Sequence, residues 1–148
     1  MLIDSGIEID APAGVVWEVF SDVEAWPRMA ESFTSVRGLD GPTLEVGHRF
    51  EIKQPGFPKL VWVVTDVVPG RSWTWEQRSP GGLALASHWV DPLPDGRTSI
   101  RQRIDQRGPI GGLVGRLVRK RSIRYMEAEA AGLKRLSEER ARRDAATA

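Results

Sequence analysis

The most constraining feature of this sequence is a run of short β-rich segments that extends from residue 33 to residue 107. Turn-forming groups such as Asp40-Gly41-Pro42, Pro69-Gly70 and Pro94-Asp95-Gly96 separate these segments. Connections this short join antiparallel neighbours, because a parallel crossover needs a much longer connection. We therefore predict an antiparallel meander of six strands, at about 33–38, 47–54, 59–68, 71–78, 83–91 and 97–107.

The segments on either side of this meander supply one further strand and the helices. Residues 2–9 alternate as a strand, and two short helices are predicted after it, before Trp26-Pro27. After Gly108-Pro109 the pattern becomes helical, from Gly111 to about Arg142. A sheet that buries one face against a single long helix curves around it. We therefore predict an α+β fold with a curved antiparallel sheet of about seven strands wrapped around a long C-terminal helix.

The size of the chain favours a single domain. A sequence of 148 residues that is 41% hydrophobic can bury one core but is short for two. We predict one domain over residues 1–142 and a frayed tail over 143–148, because the end of the chain after Arg140 is rich in Arg and Ala.

Composition and charge exclude several classes of function. The 21 basic and 20 acidic residues leave a formal charge of +1, which is too weak a field for a nucleic-acid binder. The absence of cysteine excludes a disulfide, a thiolate nucleophile and a cysteine-based zinc site. The N-terminal segment is acidic, and no apolar run approaches the roughly 18 residues of a membrane span. We predict a cytoplasmic protein without integral membrane association.

Residues 7–29 (IEIDAPAGVVWEVFSDVEAWPRM) resemble the opening of SRPBCC-superfamily proteins, in which a strand, an Ala-Pro corner and a Val-Trp helix precede Trp-Pro. Segments 47–54, 64–78 and 108–136 extend the resemblance over nearly the whole chain. It implies a helix-grip, START-like fold around an apolar cavity. The superfamily includes polyketide aromatase/cyclases, lipid carriers, hormone receptors and chaperone activators, which share no single catalytic motif. No iron-ligand cluster, phosphate loop or nucleophile elbow is visible, and we predict no metal and no cofactor.

Alternation along the strands predicts which side chains face the cavity. The faces that carry the larger apolar residues predict ligand-binding roles for Phe50, Ile52, Trp62, Val64, Trp73, Trp75, Ile100, Gln102 and Ile104. Simple core packing is an open alternative for each tryptophan, because buried aromatic residues dominate cores with or without a ligand.

The strand that contains His88 has two possible inner faces. We predict that Ala84, Ala86, His88 and Val90 point inward, because small residues leave room for a ligand and the family resemblance favours this face. His88 is then a candidate catalytic group that exchanges a proton near neutral pH. The alternative is a histidine that is merely buried or exposed. On this assignment Trp89 lies on the outer face.

The C-terminal helix carries a row of polar residues within its apolar arc. Arg121, Tyr125 and Glu129 are spaced i, i+4 and i+8, so they stack along one side of the helix. Buried charge is costly unless it is paired or serves a polar ligand. We predict ligand-binding roles for Arg121, Glu129 and the apolar Leu117, and a catalytic role for Tyr125. The alternative is that the charged groups lie at the sheet rim in solvent.

A basic stripe lies outside this arc and comprises Arg116, Arg119, Lys120 and Arg124. It is compatible with a solvated helix face, or with contact to a phosphate, an acidic lipid surface or an acidic partner.

Three functions fit these patterns. The first is binding of a small hydrophobic or aromatic molecule, such as a polyketide, a lipid or a quinone, by a monomer or homodimer. The second is a polyketide cyclase or dehydratase that moves a proton through His88 or Tyr125. The third is a protein-interaction or chaperone-regulating module that uses Trp89 on the outer sheet face.

Overall fold

A computed structural model of the chain describes residues 1–148 and contains one sheet and four helical segments. The strands are β1 (Leu2–Ile9), β2 (Ser35–Gly38), β3 (Arg49–Lys53), β4 (Leu60–Val68), β5 (Ser72–Ser79), β6 (Gly82–Pro92) and β7 (Thr98–Arg107). The helices are α1 (Ala13–Ser21), a 3-10 helix (Val23–Arg28), α2 (Pro109–Leu117) and α3 (Arg119–Thr147).

The sheet is antiparallel throughout, with the order β1-β7-β6-β5-β4-β3-β2. The predicted meander and the α+β fold class are confirmed. β1 forms the edge of the sheet next to β7, where Ile3 pairs with Ile104 and Ile7 with Ile100. A register shift between Val64 and Asp66 marks a bulge in β4, and bulges bend the strand that carries them.

The C-terminal helical region differs from the single helix predicted from Gly111. The backbone leaves the α-helical region at Val118 (φ −103°, ψ 6°), which separates α2 from α3. α2 packs on β6 and β7, whereas α3 crosses β1 and α1, so the chain changes direction between them. α3 continues to Thr147, so residues 143–147 are helical. Fraying of this end stays a prediction.

The core lies between the concave face of the sheet and the inner side of α3. Trp73, Phe20, Phe50 and Leu133 are among its fully buried side chains. Gly132 allows α3 to approach the chain after the 3-10 helix, because a Cβ atom there would lie 1.8 Å from the Met29 carbonyl oxygen. None of the helices combines the length and the apolar character that crossing a lipid bilayer requires.

Candidate functional site

A cavity of about 80 Å3 lies between the sheet and the first half of α3. Five consecutive strands, β3 to β7, each contribute one side chain to its wall, and α3 and three connecting segments close it. The lining residues are Trp26, Phe33, Ile52, Gln54, Phe57, Trp62, Trp75, Ala86, Ile104, Ser122, Tyr125, Met126 and Glu129. The cavity is therefore mainly apolar, with a small number of polar groups, which is the usual composition of a small-molecule site.

The strand register explains why the cavity lies at this place. Ala86 pairs directly with Trp75 on one side and with Ile104 on the other. A methyl side chain between two large neighbours leaves space above the sheet. The Trp75 ring lies 5.4 Å from that of Trp26 and 6.0 Å from that of Trp62, so indole rings form much of the wall. Flat aromatic surfaces of this kind suit a planar or apolar ligand.

The inward face of β6 agrees with the sequence prediction. Ala84, Ala86, His88 and Val90 are all buried. Trp89 lies on the opposite face, where the guanidinium carbon of Arg101 is 4.9 Å from its ring centroid.

Glu129 supplies the acidic group of the cavity wall. Nε2 of Gln54 donates a hydrogen bond to Oε1 of Glu129 across 3.1 Å, and Oγ of Ser32 lies 3.5 Å from the same oxygen. Oε2 receives no hydrogen bond from the protein. One carboxyl oxygen is thus held by the protein while the other is available to a ligand.

The environment of Glu129 favours its neutral form. Although part of the residue remains accessible, the carboxyl group is surrounded by protein atoms, and burial raises its pKa to about 8. The hydrogen bonds from Gln54 and Ser32 act in the opposite direction but do not offset this effect. A carboxyl group with such a pKa can donate or accept a proton near neutral pH.

Tyr125 and Arg121 hold the loop between β3 and β4 against α3. The Tyr125 hydroxyl donates a hydrogen bond to the Pro55 carbonyl oxygen across 2.6 Å, and Nη1 of Arg121 donates to the Gly56 carbonyl oxygen across 3.2 Å. The ring of Phe57, in the same loop, lies 6.1 Å from the Tyr125 ring and 5.7 Å from the Arg121 guanidinium carbon. Tyr125 and Arg121 therefore attach the loop that covers the cavity to α3.

His88 lies in the aromatic core beside the cavity and is not among the residues that line it. Its ring stacks on Trp73 at 4.0 Å with an interplanar angle of 13°, and the rings of Phe20 and Trp75 are each 5.5 Å away. Nδ1 lies 3.3 Å from the Trp73 carbonyl oxygen, which requires a proton on Nδ1. Burial lowers the pKa of the imidazole to about 3, so His88 is neutral at neutral pH.

The structure brings together some of the residues for which the sequence predicts a site role. The cavity is lined by Ile52, Trp62, Trp75, Ile104, Tyr125 and Glu129. Other predicted residues are buried without reaching the cavity wall, namely Phe50, Val64, Trp73, Ile100 and Gln102. Leu117 is exposed at the end of α2, and Arg121 lies over the loop outside the cavity. The roles predicted for these residues stay predictions.

Seven lining residues were absent from the predicted site. Two of them, Ser122 and Met126, lie three residues before Tyr125 and Glu129 respectively, so helical spacing is a signal that could have found them. Alternation already placed Gln54 on the face of Ile52. Trp26, Phe33 and Phe57 lie outside the regular strands and α-helices, where no periodic pattern predicts the direction of a side chain.

No group of three or more His, Asp or Glu side chains that could hold a metal ion is present.

The chain belongs to the family described as polyketide cyclase / dehydrase and lipid transport, whose model matches residues 3–138. This match confirms the resemblance to SRPBCC proteins. A search of curated proteins found no match.

Solved structures with the same fold come from several organisms. A hypothetical protein from Helicobacter pylori is 16% identical, with a TM-score of 0.77 over 93% of this chain and 88% of that one. The Zhui aromatase/cyclase from a Streptomyces species is 18% identical, with a TM-score of 0.69 over 95% and 94%. Norcoclaurine synthase from Thalictrum flavum, in complex with dopamine and hydroxybenzaldehyde, is 17% identical, with a TM-score of 0.73 over 94% and 87%. Identities this low show a shared fold.

Proposed function

We propose that this protein binds a small hydrophobic or aromatic molecule in the cavity between the sheet and α3, with Glu129 as its polar anchor. The observation that carries the proposal is one carboxyl oxygen without a protein partner in an otherwise largely apolar cavity. A ligand that presents a hydroxyl or carbonyl group to Oε2 would satisfy that oxygen while its apolar part contacts Trp26, Trp62 and Trp75. Polyketide-like, lipid-like and quinone-like molecules all have this character.

The size of the cavity requires that the wall move when a ligand binds. Its volume of about 80 Å3 is smaller than the roughly 150 Å3 of an engineered apolar cavity that accommodates benzene. A ligand with one or more rings must therefore displace part of the lining. Phe57 is the candidate, because it lies in the loop that Tyr125 and Arg121 attach to α3 by hydrogen bonds to backbone carbonyl groups. Opening the loop breaks these two hydrogen bonds and leaves the sheet intact.

The test has two parts. Protein purified without detergent is compared by mass spectrometry under native and denaturing conditions, and any released molecule is extracted and identified. Binding of 2-naphthol and naphthalene is then followed by tryptophan fluorescence, since three tryptophans line the cavity. We expect 2-naphthol to bind more tightly, and we expect Glu129→Gln to change its affinity more than that of naphthalene.

Two substitutions of lining residues provide matched controls, because they should change the volume of the cavity in opposite directions. Ala86→Leu fills the cavity from the sheet and should weaken binding of both probes, whereas Met126→Ala enlarges it from α3 and should admit larger probes. Equal binding by the wild-type protein and both variants would place the ligand elsewhere and refute the proposal.

A second candidate function, a polyketide cyclase or dehydratase, is favoured by the pKa of Glu129. A carboxylate can remove a proton from a carbon between two carbonyl groups in an aldol-type ring closure. The carbanion closes the ring on a ketone carbon, and the carboxylic acid returns the proton to the alkoxide oxygen that forms. The regenerated carboxylate can then remove the second proton from the same carbon and deliver it to the hydroxyl group, so that the C–O bond breaks, water leaves and a C=C bond forms. Turnover of a poly-β-ketone substrate that Glu129→Gln abolishes, with ligand binding retained, would support catalysis. Unchanged turnover in Glu129→Gln would exclude this role for Glu129.

His88 and Tyr125 have different parts in this proposal from those the sequence suggested. His88 maintains the aromatic core behind the cavity, and Tyr125 controls the loop. A cytoplasmic location, the absence of nucleic-acid binding and a monomeric or homodimeric state remain predictions from sequence.

A further inference from the structure

On α2 the smallest residues face the sheet and the large apolar residues face outward, which is the reverse of the usual arrangement for a helix that packs on a sheet. Its inner side carries the buried Gly111 and Gly115, and Gly111 packs directly on Gly82 of β6. Its large aliphatic residues face outward at helical spacing i, i+3, i+4 and i+7. These residues, which we call the α2 stripe, are Ile110, Leu113, Val114 and Leu117, with exposed fractions of 52%, 59%, 44% and 76%. Core-facing helices normally bury such residues.

The sequence that contains the α2 stripe carries charge of one sign. Residues 107–124 include six basic residues and no acidic residue, while the rest of the chain has 15 basic and 20 acidic residues. Arg116, Lys120 and Arg124 are exposed, and none of them forms an ion pair. They are spaced i, i+4 and i+8 across the junction of α2 and α3. The nearly neutral total charge of the chain thus conceals a strongly basic surface next to an apolar one.

We propose that the α2 stripe and the adjacent basic row dock this protein peripherally on an anionic lipid surface. An amphipathic helix with aliphatic residues on one face and lysine or arginine beside it inserts at the boundary between headgroups and acyl chains. Juxtaposed basic side chains are attracted to the negative surface potential of such a membrane. Docking of this kind is peripheral and requires no helix that spans the bilayer.

The dimensions and chemistry of the α2 stripe favour a lipid surface over a protein. A helix of nine residues offers an area on the order of 150 Å2 per face, far below the roughly 800 Å2 that each partner contributes to a stable protein interface. The α2 stripe contains no tryptophan, tyrosine or arginine, which are the residues that dominate the binding energy of protein interfaces. Lipid acyl chains require only apolar contact, which four aliphatic side chains can make.

The location of the α2 stripe relates docking to the cavity. Leu117 is the last residue of α2, and Ser122 and Tyr125 in the first two turns of α3 line the cavity. Arg121, in the first turn of α3, contacts the loop that carries Phe57. A docked protein would therefore hold this loop near the membrane surface, where an apolar ligand is dissolved. Docking itself goes beyond the proposed function, and it can be tested without any ligand.

The test is flotation of the purified full chain with vesicles of phosphatidylcholine alone or with about one-third phosphatidylglycerol. We expect flotation with the anionic vesicles only, and we expect it to decrease at high salt because the electrostatic attraction is screened. Leu113→Asp and Leu117→Asp should each reduce the bound fraction about tenfold or more. Val46→Asp is the matched control, because Val46 is equally exposed but distant in sequence, and it should bind as the wild-type protein does.

The basic row is tested separately by Arg116→Glu and Lys120→Glu, with Arg71→Glu as the control of equal charge change. Arg71 is exposed and has no side-chain hydrogen bond or ion pair. The first two variants should lose anionic-vesicle binding and the third should retain it.

Three outcomes would overturn the proposal. The first is no flotation with anionic vesicles at low salt, and the second is flotation that Leu117→Asp leaves unchanged. The third is self-association without vesicle binding that Leu117→Asp abolishes, which would make the α2 stripe an interface between two copies of the chain. None of these outcomes affects the cavity, whose occupancy is measured by the probe fluorescence.

Discussion

The side-chain amide of Gln54 donates a 3.1 Å hydrogen bond to Oε1 of Glu129 and so connects the end of β3 with the middle of α3. The two residues are 75 positions apart in sequence. Their contact fixes one carboxyl oxygen and leaves the other free, in surroundings that disfavour ionisation. The arrangement makes Glu129 responsive to pH and to ligands, and its consequences can be measured.

Glu129→Gln should remove a pH dependence of stability. The native state holds a proton up to about pH 8, whereas the unfolded chain loses it near the ordinary value of 4.5. The free energy of unfolding therefore falls as pH rises between these values, by on the order of 5 kcal/mol in all, and is constant above them. Urea denaturation between pH 6.5 and 9 should show the last part of this fall, about 2 kcal/mol, in the wild-type protein and not in Glu129→Gln.

Glu127→Gln, on the exposed side of the same helix, is the control for this measurement and should keep the wild-type slope. A wild-type free energy of unfolding that is constant from pH 6.5 to 8 would mean that Glu129 is ionised in the native state.

His88 should remain neutral well below the ordinary pKa of histidine. Burial lowers its pKa to about 3, so between pH 6.5 and 3 the unfolded chain gains a proton that the native state does not bind. Stability linked to His88 is thus complete above pH 6.5 and is lost as pH falls toward 3. The measurement is an NMR titration of the imidazole in His48→Gln, which leaves His88 as the only histidine. A transition near pH 6.5 in the folded protein would contradict the buried, stacked position.

Gly132→Ala should destabilise the protein by about 3 kcal/mol, at the upper end of the usual range for overpacking. The added Cβ would lie 1.8 Å from the Met29 carbonyl oxygen, and backbone on both sides limits relaxation. Gly14→Ala is the matched control, because a Cβ there meets nothing within 4 Å. It should raise the free energy of unfolding by up to about 1 kcal/mol through helix propensity. Equal effects in chemical denaturation would show that α3 is not closely packed at Gly132.

Tyr125→Phe should loosen the loop that covers the cavity. The substitution removes the hydrogen bond to the Pro55 carbonyl oxygen, which is worth about 0.5–1.5 kcal/mol, and leaves the aromatic ring in place. We expect faster hydrogen exchange at the Phe57 amide, together with weaker binding and faster dissociation of a bound ligand. Arg124→Gln, an exposed neighbour on the same helix, is the control. Unchanged exchange and affinity in Tyr125→Phe would remove the hydroxyl from loop control and from the site.

Local patterns in the sequence determined the fold class, the strands and one side of the site. Turn chemistry required antiparallel neighbours, and alternation placed Ile52, Trp62, Trp75 and Ile104 on the inner face, because side-chain direction in a strand depends only on position parity. Helical spacing likewise aligned Arg121, Tyr125 and Glu129 on one side of α3.

Only the tertiary structure decided which inward residues reach open space. Trp73 and Trp75 share a strand face, yet Trp73 stacks on His88 in the core while Trp75 lines the cavity, because their neighbours come from different elements. The contacts of Glu129 with Gln54 and Ser32 join segments far apart in the chain, which no local pattern reports. The outward orientation of the α2 stripe also depends on tertiary packing, because Gly111 and Gly115 of α2 fit against β6 and β7 and leave its aliphatic residues no core to enter. Periodicity predicts the direction in which a side chain points, but only packing determines whether that side chain meets other side chains or open space.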